Sequence, residues 1–351
     1  MTSTELTHPK ACSEQTTATQ TYKTTCMHPA PNPIHSALIG LAVADALGVP
    51  VEFRSRAELK ADPVNGMRAY GTYNQPAGTW SDDSSMAFCI AENLAQGYNL
   101  QQIAIYFINW KYHNYWTPHG ELFDIGNQTS SAIGKLKNII ADGQGQTLVG
   151  LSSDDPMNNG NGSLMRCIPL LFLVEGKSSH EQFRIIREVS ALTHGHIRSA
   201  IACYFYLLMA EQILKGKEKK SAYLAACQQV KLWMQDQRIS TAEQEAFAKV
   251  LGGEIHLEQE ENIQSSGYVM HSLEASLWCF LNYGDYASAV LAAVNLGKDT
   301  DTTAAITGGL AGLYYGLDLI PEDWINTIAR LEDIYELADR VEKAYPRRST
   351  S

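Results

Sequence analysis

DTDTTAAITGGLAGLYYG, residues 299–316, opens with two aspartates and continues as a run of small and apolar residues too apolar for a surface helix. Its partner in composition lies more than two hundred residues earlier: SDDS, residues 81–84, followed by SMAFCIAENLA. If the turn at Asp299 and Asp301 is extended, residues two apart send both carboxylates to one side. Asp82 and Asp83 open a helix, where the positive end of the helix dipole favours negative charge. Alone, either pair reads as a helix cap with a solvated first turn. Together they are two buried helix starts carrying unpaired acids, which repel each other unless a cation sits between them. With the hydroxyls of Ser81, Ser84, Thr300 and Thr302, the four carboxylates form an oxygen-only ligand set suited to Mg²⁺ or Mn²⁺. Counted from Asp299 as an EF-hand loop, position six is Ala304 and position twelve Leu310, where Gly and Glu are needed, so that reading fails.

Outward from these two stretches the periodicity is helical. Gly308, Gly312 and Gly316 recur every fourth residue with Ala304 one turn earlier, a stripe that lets another helix pack closely and gives Asp299 and Asp301 a rigid base. SALIGLAVADALG, from residue 36, is a helix stopped by Gly48 and Pro50. A turn-rich connection then reaches Ser81. Helical patterns follow at 84–96, 99–113, 127–141, 163–175 with a kink at Pro169, 180–193, 196–215, 219–236, 241–251, 268–282, 285–296, 301–315 and 321–344. Residues 252–266, with Glu254, Glu258, Glu260 and Glu261, read as an exposed excursion. No period-two strand pattern stands out, so the fold expected is all-α, one multi-helix domain over 34–346 with a short tail at 347–351.

The 351 residues carry 45% hydrophobic residues, enough for a sizeable core, and a net charge of −11, which argues against nucleic-acid and anionic-membrane partners. Seven cysteines without a CxxC spacing read as reduced packing residues. With no secretory leader pattern, this predicts a cytoplasmic protein. The apolar run 302–317 is the one candidate membrane span, and its glycines, alanines and acidic start predict a packed helix instead. Residues 1–33 differ in kind: nine threonines, Pro29, Pro31, Pro33 and almost no large aliphatics predict a flexible N-terminal extension.

Three further places could carry chemistry. NNGNGSLMR, residues 158–166, is a glycine-rich turn leading into a predicted helix, a place for backbone N–H groups to meet a phosphate or pyrophosphate. It lacks the Gly-Lys-Ser/Thr of a P-loop, and an ordinary loop and cap is the alternative. LTHGH, residues 192–196, puts His194 and His196 between helices. Without a nearby cysteine this is no zinc pattern, and His194 suits either a ribose or base contact or a structural hydrogen bond. Glu52, just past the helix stop, is a candidate fifth carboxylate or general base, or else a solvated loop residue. Asp124, in GELFDIGNQT, reads as the start of a helix, with capping as its ordinary role.

Taken in order, GLAVADALGVPVE (40–52), GTWSDDSSM (78–86), FDIGNQT (123–129), NGNGSLMR (159–166), LTHGH (192–196), GYVMHSLEASLWCF (267–280) and GKDTDTTAAITGGLAGLYYG (297–316) resemble the ADP-ribosylglycohydrolase family, which includes the enzyme that reactivates ADP-ribosylated dinitrogenase reductase. The resemblance spans nearly everything from Ile34 to Arg340. It implies an all-α fold with two divalent cations, Mg²⁺ or Mn²⁺, in a central cleft. By position it makes Ser81, Asp82, Asp83, Asp299, Asp301 and Thr302 metal ligands. Glu52 corresponds to the acidic residue beside the metals, and Glu52 and Asp301 become the catalytic candidates. Asp124, Asn159, Gly160, Asn161, Gly162, Ser163 and His194 would line the ADP-ribose site. The implied reaction is hydrolysis of the bond between ribose C1″ and a modified protein side chain, often arginine. Ser81 stands where the family usually has Thr and keeps the hydroxyl; Ala44 stands where it usually has Gly before Asp45.

A prenyl-diphosphate enzyme would need Asp-Asp-x-x-Asp, and position 86 is Met. The stronger competitor is a binding protein. Some members of the resembled family are immunity proteins against ADP-ribosylating toxins, and a 33-residue arm can reach on the order of 100 Å, far enough to enter a toxin's active site.

Overall fold

The computed structural model describes residues 32–143, 148, 155 and 158–347, together with Met1. The N-terminal extension, apart from its two ends, and the last four residues lie outside that range, as do Cys12 and Cys26. Among the described residues every regular element is helical, and the sole extended pairings are isolated bridges at Tyr70–Gln75 and Gly160–Tyr268.

The centre is an antiparallel pair. Helix α1 (Pro33–Gly48) is buried at all sixteen positions, and a helix apolar all round belongs inside a core. Its partner at the other end of the chain, spanning Thr300–Tyr315, is buried from Thr300 to Leu313. Glycine sets the distance between them. A Cβ on Gly312 would overlap Ser36 O, one on Gly308 would overlap Gly40 O, and one on Gly48 would overlap the Asp301 backbone. The expected small-residue stripe therefore packs through Gly308 and Gly312. Gly316 instead ends the helix at φ 87°, a conformation glycine adopts without penalty.

Around this pair the chain runs α2 (Arg56–Ala61), α3 (Asp82–Gln96), α4 (Leu100–His113) and α5 (Asn127–Ala141), then α6 (Leu170–Val174), α7 (Ser179–Ser190) and α8 (Ile197–Leu214). It continues through α9 (Lys219–Asp236), α10 (Thr241–Ala246), α11 (Ala248–Leu251), α12 (Val269–Asn282) and α13 (Tyr286–Asn295). The partner of α1 is α14 (Thr300–Tyr315), followed by α15 (Glu322–Thr327) and α16 (Leu331–Ala344). Polar caps start many of them: Ser55 and Glu58 form a capping box on α2, and Asn99, Ser178 and Asp285 cap α4, α7 and α13. Three buried hydroxyls tie neighbours to the central pair: Tyr286 Oη donates to Gly40 O (2.6 Å), Tyr206 Oη to Ile306 O (2.9 Å) and Ser276 Oγ to Thr303 O (3.1 Å). Arg340 of α16 pairs with Glu92 of α3.

Several expected boundaries move. The pattern at 163–175 yields only α6, because 161–166 are turns and Pro169 begins the helix instead of kinking it. The long pattern at 321–344 splits in two, with Arg330 at φ 55° between the halves. Residues 252–266 are not a free excursion. Ile255 and Ile263 are buried, and Arg56 donates to the carbonyls of Glu260 and Ile263 at 2.5 Å each. Among the described residues the two helices long and apolar enough to cross a membrane are Pro33–Val51 (the helix with the turn after it) and Ile197–Leu214, not 302–317; both are packed inside the protein, 100% and 89% buried.

Candidate active site

Three helix ends meet where the two acidic stretches lie. Asp45, one turn from the end of α1, is fully buried and receives Ser81 N–H at 3.0 Å on each oxygen, Ser84 N–H at 3.1 Å and Ser84 Oγ–H at 2.5 Å. A carboxylate on α1 thus satisfies the open N–H groups at the start of α3 and fixes the SDDS turn. Ser81 itself is the N-cap, its Oγ accepting from Asp83 N–H at 3.2 Å. On α14, Asp299 is the N-cap residue and the helix begins at Thr300, so the expected extended turn is absent. Thr300 Oγ donates to Gly48 O (2.8 Å) and Thr302 Oγ to Asp83 Oδ1 (3.2 Å), stitching α14 to α1 and α3.

Asp301 is the shared corner of two acidic groups. Oxygens of Asp45, Asp83 and Asp301 lie within 4.8 Å of one another, and so do oxygens of Glu52, Asp124 and Asp301. Asp299 belongs to neither triad; its Oδ2 accepts from Asn161 Nδ2 at 2.8 Å on the cleft wall. Glu52 is 7% exposed, and Tyr73 Oη donates to its Oε2 at 2.5 Å. Asp124 does not cap a helix: α5 starts at Asn127, and Asp124 sits ahead of it at φ 49°.

Burial and mutual repulsion push these carboxyls up. Burial, then Asp124, Asp45 and Glu52, raise Asp82 well above the ordinary range; burial, then Asp45 and Asp82, do the same for Asp83. Asp301 is raised by burial, then by Glu52 and Asp83. Glu52 rises to about 8, chiefly from burial and then from Asp124, while Asp45 and Asp124 rise to about 6, both chiefly from burial. No ion pair among the described residues reaches any of them. Asp301 Oδ2 is buried and finds no hydrogen-bond donor among the described residues, only other carboxylates. An orphaned carboxylate oxygen between two acidic triads, with hydroxyls beside it, is a donor set that fits divalent cations.

Above the acids opens a cleft of about 390 Å³, within the range of small-molecule sites. Asp82, Asp299, Thr302, Glu52 and Asp124 form its acidic floor; Gly160, Asn161, Gly162 and His194 form one wall. Ser81, Asp83 and Asp301 lie beneath it, outside the lining. Asn159 and Ser163 are also outside it. Asn159 Oδ1 accepts from Ser199 Oγ (3.3 Å), and Ser163 Oγ accepts from Cys203 Sγ (3.6 Å). The glycine-rich loop is turns and not a helix start, and its Asn161 N–H is spent on Gly267 O at 3.0 Å. His194 lines the cleft, whereas His196 caps α8 by accepting Arg198 N–H at 3.2 Å. A larger hollow of about 460 Å³ over Gln182, Glu211 and Trp233 has no comparable chemistry, since its buried Glu211 is satisfied by Gly176, Gln182 and Lys215.

Two residues here were not singled out from the sequence. Asp45 had a signal, being the one acidic residue in a helix otherwise apolar and small. Tyr73 had none, because only the fold carries its hydroxyl to Glu52.

An all-helical chain with paired acidic triads under a glycine-walled cleft defines the class. A family model described as ADP-ribosylglycohydrolase matches residues 30–350. An ADP-ribosylarginine hydrolase, Tri1, of Serratia proteamaculans is 30% identical over 87% of this chain and 77% of its own length. The ADP-ribosyl-[dinitrogen reductase] glycohydrolase of Rhodospirillum rubrum is 27% identical over 83% and 88%. A solved ADP-ribosylglycohydrolase-related protein complex superposes with TM-score 0.73 at 28% identity, over 90% of this chain and 98% of that one. The chain belongs to the ADP-ribosylglycohydrolase family and is a hydrolase of that kind.

Proposed function

We propose that the protein removes ADP-ribose from modified arginine side chains of proteins, with two divalent cations, Mg²⁺ or Mn²⁺, held at the acidic floor. The observation that carries the metal reading is the orphaned Oδ2 of Asp301 between two buried triads. Arginine as the acceptor is supported by likeness to the Tri1 hydrolase. Asp45, Asp83 and Asp301 would hold one cation and Glu52, Asp124 and Asp301 the other, with Asp82, Asp299, Ser81 and Thr302 completing the set. Bound there, the cations supply Lewis-acid polarisation and orientation of the ribose diol.

In the reaction the C1″–N bond breaks, a water oxygen bonds to C1″, and the guanidine leaves with a proton. Positive charge develops at C1″, and the carboxylate floor stabilises it. Glu52 and Asp301 are the catalytic candidates. Glu52, with Tyr73 Oη fixing its Oε2, is the group placed at the cleft to exchange a proton with water. The wall residues Gly160, Asn161, Gly162 and His194 would take the ADP-ribosyl part. The test is release of free ADP-ribose from proteins modified on arginine or on serine, with and without EDTA. Release from serine alone, or release indifferent to EDTA and to added cations, would overturn the reading.

A second reading keeps the hydrolase and adds a binding role: residues 1–33 occlude the active site of an ADP-ribosylating toxin. The family match begins at residue 30, which leaves residues 1–29 outside it. It is tested by comparing the full chain with a form lacking residues 1–31, which spares Asn32 and Pro33 at the start of α1, for stoichiometric inhibition of such a transferase.

A further inference from the structure

Behind the cleft wall lies a buried cation that the reaction above does not use. Arg166 is 1% exposed and pairs with no carboxylate among the described residues. Its Nη2 donates to Thr193 Oγ at 2.7 Å and points at Val189 O at 3.5 Å; its Nη1 meets Met86 Sδ at 3.6 Å. Its guanidinium carbon lies 4.6 Å from the centre of the Phe107 ring. Burying an arginine without an acid is expensive, so its contacts are informative. The shortest is the one to Thr193, itself fully buried, whose Oγ lies 2.7 Å from Nδ1 of His194.

Proton accounting then fixes the imidazole. Arginine can only donate, so Thr193 Oγ accepts from Arg166 and has one proton of its own to give. Among the described residues the other partner of that hydroxyl is Nδ1 of His194, so a proton turned elsewhere would be buried without an acceptor, and Nδ1 accepts it. A neutral imidazole whose Nδ1 accepts carries its hydrogen on Nε2. Burial, and secondarily the Arg166 charge, keep the ring neutral by pulling its pKa down to about 3.

The surroundings leave that hydrogen facing the cleft. A Cβ at Gly162 would stand 2.7 Å from Cε1 of His194, and one at Gly160 would stand 3.3 Å from Nε2. The two glycines thus clear the Nε2 edge of the ring. Gln128 Nε2 donates to Thr193 O at 3.2 Å and holds the backbone behind the ring. His194 lines the cleft, and no hydrogen bond among the described residues involves its Nε2.

We infer that Arg166 and Thr193 are positioning residues that lock His194 as a neutral, Nε2-protonated imidazole, presenting a single N–H donor to an oxygen of the bound ADP-ribosyl group. The inference rests on the cleft being an ADP-ribose site. Two readouts on the full-length protein keep the lock and the ligand distinguishable. Long-range ¹H–¹⁵N correlation spectra at pH 7 without ligand report the His194 tautomer, and calorimetry with ADP-ribose in Mg²⁺ reports affinity.

Wild type should show hydrogen on Nε2. Thr193→Val, nearly the same shape, should show both tautomers and bind ADP-ribose about tenfold more weakly, the effect of one hydrogen bond. Thr193→Ser should restore both, which a merely structural role for the residue would not require. Arg166→Met should resemble Thr193→Val, and a folded Arg166→Met with wild-type tautomer and affinity removes Arg166 from the scheme. Should Arg166→Met not fold, the Thr193 pair decides, because Arg166 acts through that hydroxyl. Hydrogen on Nδ1 in wild type, or a Thr193→Val protein with unchanged tautomer and affinity, overturns the lock. A wild type that holds the Nε2 tautomer yet does not bind ADP-ribose overturns the assignment of the ligand instead.

Discussion

Asp301 touches both acidic triads, so one substitution there probes the whole floor. Asp301→Asn keeps the shape and removes a buried charge. It should lower hydrolysis by on the order of 10²–10³-fold or more. It should also weaken Mn²⁺ binding, read by electron paramagnetic resonance, while raising the melting temperature of the cation-free protein because a repulsion is gone. Normal Mn²⁺ binding by this variant would remove Asp301 from the metal site.

The raised carboxyls also set a pH dependence. Folded Glu52 holds its proton up to about 8, against an ordinary 4.5, so between those values the folded state binds more protons than the unfolded one. Stability of the cation-free protein must therefore fall as pH rises through that window. His194 acts in the opposite sense, but only between about 3 and 6.5, where the unfolded imidazole takes the extra proton. Above 6.5 the imidazole no longer opposes the carboxyls, and Glu52 acts there in the same sense as the raised Asp82, Asp83 and Asp301. Between 6.5 and 8 the EDTA-treated protein should lose at least on the order of 1 kcal/mol by denaturant titration, Glu52→Gln should reduce the slope, and Mg²⁺ should oppose the loss. A cation-free stability that rises across this window would contradict the burial account of Glu52.

At the scale of elements, the site depends on how closely α1 approaches α14. Gly48 lies against the Asp301 backbone and Gly40 against Gly308, so helix separation and acid placement are one variable. Gly48→Ala should cost about 2 kcal/mol or more by overpacking and should weaken divalent binding as well. Gly97→Ala, with open space around it, should strain only its own backbone at φ 97° and leave cation affinity unchanged, as calorimetry of both variants would show. The helical pattern and the glycine stripe were legible in the sequence because both are local periodicities. The start of α6 was not, since a glycine-rich turn followed by apolar residues has the same pattern whether or not the turns continue to Pro169.

Across the whole molecule, the residues of the cleft and its floor run from Asp45 to Thr302, all outside the N-terminal extension. Removing residues 1–31 should therefore leave release of ADP-ribose from arginine-modified protein within about twofold of the full chain. A large loss of hydrolysis would tie the extension to the cleft itself. Loss of transferase inhibition alone would support the binding role.

The sequence by itself determined the helical class, the two acidic starts and the oxygen-only chemistry, because each is written in composition and short-range spacing. It also carried Glu52, Asp124 and His194 as candidates, though not what they touch. Only the tertiary structure decided which aspartate of the DTDT stretch is central. Asp299 stays outside helix α14 as its N-cap, whereas Asp301 sits in the first turn and joins both acidic triads. Asp299 meets Asn161 on the cleft wall, and Asp301 goes down between the triads. Asp45 and Tyr73 joined the site for the same reason. Their partners are Ser81, Ser84 and Glu52, brought to them by helix packing and a folded-back loop that no local pattern encodes.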